Sequence, residues 1–545
     1  MTKRQSPPLA PLAGFRQYEG PLVTVVMDGI GIGSRDEQDG VFMANTELLD
    51  TLFKEQLMVA VKAHGLAVGL PSDKDMGNSE VGHNALGAGR VFSQGAKLVN
   101  EALESKEVFN GEVWQELKKR GHGGGTVHFI GLVSDGNVHS HIDQLYRLLD
   151  QCVADGIERV RVHALLDGRD VEQKSALDYI EPLERKLAKC CGESFDYRIA
   201  SGGGRMVTTM DRYNANWSVV ERGWKAHVLG EGRSFVSASE AVRTYYAEDP
   251  AMTDQYMPSF VVIKDDKPVG TMEDGDSAVF FNFRGDRAIE ISRAFDETDF
   301  NEFDRKRVPE LFYAGMMQYD GDALIPKKFL VQPPAINATL GEYLCATGIT
   351  SYAVSETQKF GHVTYFWNGN RSGYIDRDLE RYEEVASDRI TFDLKPWMKA
   401  GEIADKVVEA IESGRYKFIR LNFANGDMVG HTGVEQAVRV GVECVDISLG
   451  RVLGAVKKAR GIAVVTADHG NADCMWTEKN GKRVPMVAHT LNPVPFIVKD
   501  YNGANNFRLT GVADPGLANV AATLCVLLGY QPPEDYFPPL VELVG

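Results

Sequence analysis

Short, largely apolar runs rich in β-branched residues recur at 22–27, 127–133, 160–166, 278–283, 418–423 and 462–466. They are too brief for helices, and a mostly apolar run fits a strand buried on both faces. Between many of them lie longer stretches with helical spacing of apolar positions, at 142–154, 175–190, 404–413 and 435–458. Strands and helices in alternation predict an α/β fold with mostly parallel sheets. No repeat recurs at a fixed period, which disfavours solenoids and propellers.

Most of the predicted strands end alike, with small and charged residues arriving as the apolar run stops. The endings are Asp28-Gly29, Ser134-Asp135-Gly136, Asp167-Gly168-Arg169-Asp170, Arg284-Gly285-Asp286-Arg287, Asn425-Gly426-Asp427 and Ala467-Asp468-His469-Gly470. One such ending is ordinary turn chemistry, but parallel sheets bind ligands beyond the carboxyl ends of their strands, and a whole set of them predicts an active-site rim. The endings also sort by charge: Asp and His toward the two ends of the sequence, Arg in the middle. That pattern suggests one α/β domain inserted into another.

The length of 545 residues corresponds to roughly three or four domains, or fewer if one is a large open sheet. A net charge of −17 would repel a polyphosphate backbone, so nucleic acid is not an expected partner. Seven cysteines without a CxxC pair suit a reducing compartment and offer neither a disulfide framework nor a zinc ribbon. The N-terminal stretch MTKRQSPPLAPLAGF has no apolar run of signal-peptide length, and no run of about 18 apolar residues occurs anywhere. The expectation is a cytoplasmic protein that needs no membrane, with residues 1–20 as a loose extension.

The outer segments offer Asp28, Asp427-x-x-x-His431, Asp468-His469 and His489. Carboxylate with imidazole suits Mn, Zn or Co, and carboxylate alone suits Mg. Asp468 and His469 are neighbours whose side chains diverge in a regular element, so two ions follow more easily than one. The candidate nucleophile is Ser79, glycine-flanked in MGNSEVGHNALGAGR. A serine at a helix start is often only a cap, but there it also meets free N–H groups and positive dipole charge that suit a phosphate. No GxSxG elbow is present, so its activation falls to a metal. His64 and His83 read as structural.

The middle of the chain offers His139, Arg169, Asp170, Arg205, Arg212, Arg284 and Arg287. Arginine forks recognise carboxylate and phosphate bidentately, so arginines at turns in an acidic protein predict a small, multiply anionic substrate. Neither a P-loop nor GxGxxG spacing occurs, so no nucleotide cofactor is expected. On the residues alone a metal-dependent phosphomonoesterase, a sugar-phosphate mutase and an inactive binding or scaffold protein stay open.

Taken together, MDGIGIG, MGNSEVGHNALGAGR, LVSDGNVHSH, ALLDGRD, NFRGDR, SETQKFGHVTYFWNGN, NGDMVGHTG, TADHGNAD and AHTLNPVP resemble the 2,3-bisphosphoglycerate-independent phosphoglycerate mutases of the alkaline phosphatase superfamily, in the same order over about 21–540. The resemblance implies a phosphatase-like metal-binding domain from 21–94 and 334–545, interrupted by an inserted phosphotransferase domain at 95–333, with 331–334 as a hinge. It implies interconversion of 3-phosphoglycerate and 2-phosphoglycerate in glycolysis and gluconeogenesis, through a phosphoserine at Ser79 and without 2,3-bisphosphoglycerate. Two divalent ions (Mn, Mg or Co) would be held by Asp28, Ser79, Asp468 and His469, and by Asp427, His431 and His489. Substrate contacts would be His139, Arg169, Asp170, Arg205, Arg212, Arg284, Arg287 and Lys359, with Asp170 moving a proton and Lys359 assisting catalysis. The expected partners are small phosphoglycerates, and the expected state is a monomer.

Overall fold

The computed structural model describes residues 6–544 apart from 71, 193, 212–215, 321–323, 333, 335, 389 and 480–481. The chain divides into two compact units, Met1–Gln94 with Pro334–Gly545, and Gly95–Pro333.

In the first unit the strand Leu22–Met27 is buried at every position. It lies between Phe418–Phe423 and Ile462–Thr466 and runs parallel to both. Its side chains alternate between two apolar cores: Val23, Val25 and Met27 on one face, Leu22 and Val26 on the other. Burial on both faces explains why all but Thr24 are apolar here. Among the described residues the sheet has seven strands, in the order Glu380–Val385, Ser351–Glu356, Phe418–Phe423, Leu22–Met27, Ile462–Thr466, Val494–Asp500, Met58–Val61. The last two join antiparallel. Helices Ala400–Glu412 and Glu435–Lys458 cover one face and Asn519–Leu528 the other.

The second unit repeats the architecture with eight strands among the described residues. Val127–Leu132, Arg159–Leu166 and Asp196–Gly204 lie side by side and parallel at its centre. The two cores again interleave, with Val127 and Phe129 on one face and Ile130 and Leu132 on the other. The chain is thus α/β with mostly parallel sheets, as the apolar runs predict.

The N-terminal segment departs from the expectation of a loose extension. Leu9 and Tyr18 are buried in the first unit's core, and the amide of Leu12 donates to Gly529 O at 2.8 Å. The Tyr18 hydroxyl donates to Leu527 O at 3.0 Å. Between Leu9 and Tyr18 lie Pro11, Gly14, Arg16 and Gln17, so no periodic apolar signal marks the segment as packed.

Candidate metal centre and arginine cluster

Three adjacent strands of the first unit deliver its acidic residues. Asp28 follows Leu22–Met27, Asp427 lies in the short helix Asn425–Gly430 after Phe418–Phe423, and Asp468 and His469 follow Ile462–Thr466. The turn after Asp28 needs glycine: Gly29 has φ +74°, and a Cβ there would stand 2.5 Å from the amide nitrogen of Asp427. Ser79 is the first residue of helix Ser79–Ala88, capped by the Asn78 side chain, which accepts from Val81 N at 3.0 Å. Asn78, not the serine, is therefore the cap, and the Ser79 hydroxyl is free for other contacts.

Those contacts are polar and buried. Ser79 Oγ lies 2.9 Å from His469 Nε2 and 3.3 Å from Asp28 Oδ1. Lys359, from helix Thr357–Gly361, donates from Nζ to Ser79 Oγ and to Asp427 Oδ2 at 2.7 Å, and pairs with Asp28 Oδ1 at 2.9 Å. His431 and His489 both approach Asp427 Oδ1, at 3.0 and 3.1 Å. The ligating atoms of Asp427, His431 and His489 lie within 4.8 Å of one another, and so do those of Asp28, Asp468 and His469.

The hydrogen bonding of the histidines shows that these groups fit divalent ions. His431 Nδ1 donates to Val487 O at 2.7 Å, His489 Nδ1 to Gly77 O at 2.6 Å and His469 Nδ1 to Gly470 O at 3.3 Å. Each ring thus carries its proton on Nδ1 and turns the Nε2 lone pair inward, the arrangement by which backbone carbonyls orient metal-ligating imidazoles. The Nε2 lone pairs of His431 and His489 face each other at 3.1 Å beside a carboxylate, an electron-rich pocket that a cation would relieve. Asp468 Oδ2 is buried without a hydrogen-bond donor. His83 Nδ1 stands 3.3 Å from it, but donates its hydrogen to Ser79 O at 2.8 Å.

The carboxylates dominate the electrostatics: burial would lower His469, but Asp468, Asp427 and Asp28 raise it, an excess of negative charge that a cation would relieve. Burial and the Asp468 carboxylate push Asp28 up to about 6. Burial alone would raise Asp427, but the Lys359 ammonium holds it well below the carboxylate range. Burial would also lower Lys359, yet Asp28, Asp427 and Asp468 raise it above its ordinary value, so it stays an ammonium. Burial and His469 take His489 down to about 3, keeping it neutral as ligation requires. Sequence reading missed Asn422, whose Nδ2 donates to Asp28 Oδ2 at 2.7 Å, and Asn471, whose Nδ2 donates to Asp427 Oδ1 at 3.1 Å. It also set His83 aside as structural, although His83 grips the Ser79 carbonyl and neighbours Asp468. Its place three residues after Asp468 could have flagged Asn471, and nothing local marks Asn422 inside its strand.

In the second unit, Arg205 follows Asp196–Gly204 and is 1% exposed. Its Nη1 donates to Asp167 Oδ1 at 2.7 Å and to Asp170 Oδ2. Asp167 also accepts from Ser134 Oγ at 2.6 Å and from the amides of Arg169 and Asp170, at 3.2 and 3.0 Å. Asp286 Oδ1 bridges Arg284 Nε at 3.3 Å and His139 Nδ1 at 3.5 Å. Arg287 donates to Met210 O at 2.6 Å. Burial pushes His139 well below its ordinary value; the charges of Arg205, Arg284 and Arg287 act in the same direction against Asp286. His139 is thus gathered with three of the predicted arginines. Arg169 lies on the exposed side of the same turn as Asp170, and Arg212 lies outside the described residues. Asp167, Asp286 and Ser134 join the cluster as partners that sequence reading did not single out.

A family model described as the BPG-independent PGAM N-terminus matches residues 99–321. A 2,3-bisphosphoglycerate-independent phosphoglycerate mutase of Trypanosoma brucei brucei is 52% identical over 96% of this chain and 97% of its own length. The chain belongs to the 2,3-bisphosphoglycerate-independent phosphoglycerate mutases. Another mutase of that name, from Zea mays, is 48% identical over 96% of each chain. A crystal structure of Leishmania mexicana phosphoglycerate mutase at low cobalt concentration is 50% identical, covers 98% of this chain and all of its own, and superposes with a TM-score of 0.81. The mutase fold thus extends over both units and over every candidate residue described above.

Proposed function

We propose that the chain interconverts 3-phosphoglycerate and 2-phosphoglycerate through a phosphoserine at Ser79, with no need of 2,3-bisphosphoglycerate. The observation that carries this reading is the Ser79 hydroxyl, buried at a helix start between the Lys359 ammonium and the inward-facing nitrogen of His469. Asp28, Ser79, Asp468 and His469 would hold one divalent ion, and Asp427, His431 and His489 the other. Such ions supply Lewis-acid stabilisation to a transferring phosphoryl group, and mixed carboxylate and imidazole donors suit Mn or Co, with Mg also accommodated.

The residues contribute as follows. Lys359 donates to the Ser79 oxygen and offsets negative charge on it as it attacks phosphorus, while His469 Nε2, 2.9 Å from the same oxygen, is kept for the ion, which would ease loss of the hydroxyl proton. Helix Ser79–Ala88 presents its N-terminus, where N–H groups and dipole favour the phosphoryl oxygens. In the second unit Arg205, Arg284 and Arg287, with Arg169 and Arg212, retain the glycerate after its phosphate has moved to Ser79. Asp170 is the group that carries a proton to or from a glycerate hydroxyl, and Arg205, paired with it, fixes its orientation. Glycerate then turns over, and its other hydroxyl takes the phosphoryl group back. Two in-line displacements would preserve configuration at phosphorus.

A small anionic substrate, no nucleic acid partner, action as a monomer and a cytoplasmic location complete the reading; among the described residues no helix is long and apolar enough to cross a membrane. The test is an enolase-coupled assay on 3-phosphoglycerate, with and without added 2,3-bisphosphoglycerate and metal, together with mass spectrometry of Ser79. Activity that depends on metal but not on bisphosphoglycerate, with phosphoserine trapped at Ser79, supports the proposal. Release of phosphate without 2-phosphoglycerate would favour a phosphomonoesterase instead.

A further inference from the structure

Three histidines buried in the second unit, none of them in the arginine cluster, form a continuous line of hydrogen bonds. His128 Nε2 lies 3.2 Å from Asp276 Oδ2, and its Nδ1 lies 2.9 Å from His163 Nε2. His163 Nδ1 lies 2.7 Å from Ser201 Oγ, which lies 2.7 Å from His227 Nδ1. His227 Nε2 then lies 2.8 Å from Thr209 Oγ1. The line crosses three neighbouring strands, at Val127–Leu132, Arg159–Leu166 and Asp196–Gly204, and leaves the sheet through helix Trp217–His227.

The direction of every proton follows from one end. Asp276 already accepts from the amides of Thr126 and Glu273, at 2.6 and 2.8 Å, so its carboxylate can only accept from His128. A neutral imidazole that donates from Nε2 must accept at Nδ1, so His163 donates from Nε2 and accepts from the Ser201 hydroxyl. Ser201 oxygen accepts from His227 Nδ1–H, which leaves His227 Nε2 as an acceptor. The Thr209 hydroxyl is therefore committed as its donor. All three rings are neutral, because burial lowers each below the ordinary histidine value.

Thr209 is where this matters. It has φ +73°, a left-handed conformation that a β-branched residue adopts only when its surroundings impose it. One face of helix Trp217–His227 imposes it from three successive turns. The Thr209 amide donates to Val219 O at 2.8 Å, a Cβ on Gly223 would stand 2.1 Å from Thr209 Oγ1, and His227 accepts the hydroxyl proton. The constrained residue sits four after Arg205 and directly before Met210, whose carbonyl Arg287 grips at 2.6 Å.

We propose that His227, its tautomer set by the line from Asp276, is a positioning residue that holds Thr209 and with it the Arg205 to Asp211 turn in the conformation that receives the substrate's anionic end. The substrate part of this claim rests on the functional reading above; the mechanical part does not. Full-length protein labelled with ¹⁵N at histidine should show His227 neutral and protonated at Nδ1, with His128 and His163 protonated at Nε2. Thr209→Val keeps the side chain's shape but leaves a buried acceptor unpaired, which should speed amide exchange over 205–211 by roughly tenfold or more. The same variant should raise KM for 3-phosphoglycerate by about tenfold while kcat changes less than about threefold, and Thr209→Ser should restore both. Unchanged exchange, a fall in kcat at constant KM, or His227 protonated at Nε2 overturns the proposal. If Thr209→Val does not fold, Thr209→Ala is read by the same measures. A wild-type chain without mutase activity sinks the functional reading alone, and the exchange and tautomer results still decide the mechanical one.

Discussion

Ser79 and Lys359 show what a single side chain does in a buried, charge-dense place. Because Asn78 supplies the helix cap, Ser79→Ala removes only a hydroxyl, and the expected result is a folded protein with turnover below about 1% of wild type. An enolase-coupled assay beside circular dichroism checks it; retained turnover would remove Ser79 from the chemistry. Lys359 is a different case, since its ammonium faces Asp28 and Asp427 in the interior. Lys359→Ala leaves carboxylates stranded, at a cost of about 3 to 5 kcal/mol. A divalent ion bound by the same carboxylates would make up part of that loss. Thermal unfolding should therefore show a larger drop for the variant in chelator than with Mn, and equal drops would count against ions at these carboxylates. At this scale the sequence was informative where ligand types cluster, as in Asp468-His469, and silent on Asn422, whose role comes from the strand beside it.

Elements were legible in proportion to their apolar continuity. Leu22–Met27, Phe418–Phe423 and Ile462–Thr466 match the predicted runs residue for residue, because burial on both faces keeps most of their positions apolar. Asp196–Gly204 went unseen, since it ends in three glycines that read as a loop. They are there because the sheet is tight: a Cβ on Gly202 would stand 2.5 Å from Ala164 O. Glu380–Val385 went unseen for the opposite reason, being an edge strand with charged residues. The central strands of the second unit also carry a pH liability. Burial lowers His128 and His163, and lowers His227 to about 3, so the unfolded chain binds their protons first. A lowered histidine value means stability that is complete above the unfolded value of about 6.5 and lost as pH falls below it. Between pH 6.5 and 5 His227 should withdraw about 2 kcal/mol, and the other two rings act in the same direction. Hydrogen exchange over 127–132, corrected for intrinsic rates, should accelerate on going from pH 7 to pH 5; protection that holds would mean that the rings are already charged in the fold.

The whole molecule divides its chemistry as it divides its chain: metal-binding residues in the discontinuous unit, arginines in the continuous one. Chelation should abolish mutase turnover and added Mn, Co or Mg restore it to differing degrees, and full activity in excess chelator would remove metal from the reaction. Arg284→Ala should weaken glycerate retention by about 2 to 4 kcal/mol, roughly 30-fold to nearly 1000-fold, and spare the first phosphorylation of Ser79. Free glycerate and inorganic phosphate should then accumulate from labelled 3-phosphoglycerate; equal loss of both steps, with no glycerate, would assign the arginine to the first. The division also fixes an order in time. The central strand of the discontinuous unit pairs only with Phe418–Phe423 and Ile462–Thr466, so at ribosomal speed it waits about 20 to 80 s for its first partner, some 400 residues later. The strands of the continuous unit, by contrast, are all made by residue 315 and can close first. A nascent chain halted before 418 should therefore carry a protease-resistant body at 95–333 behind an apolar segment with nowhere to go. Synthesis of this protein asks for a chaperone at its beginning, on account of a strand that arrives near its end.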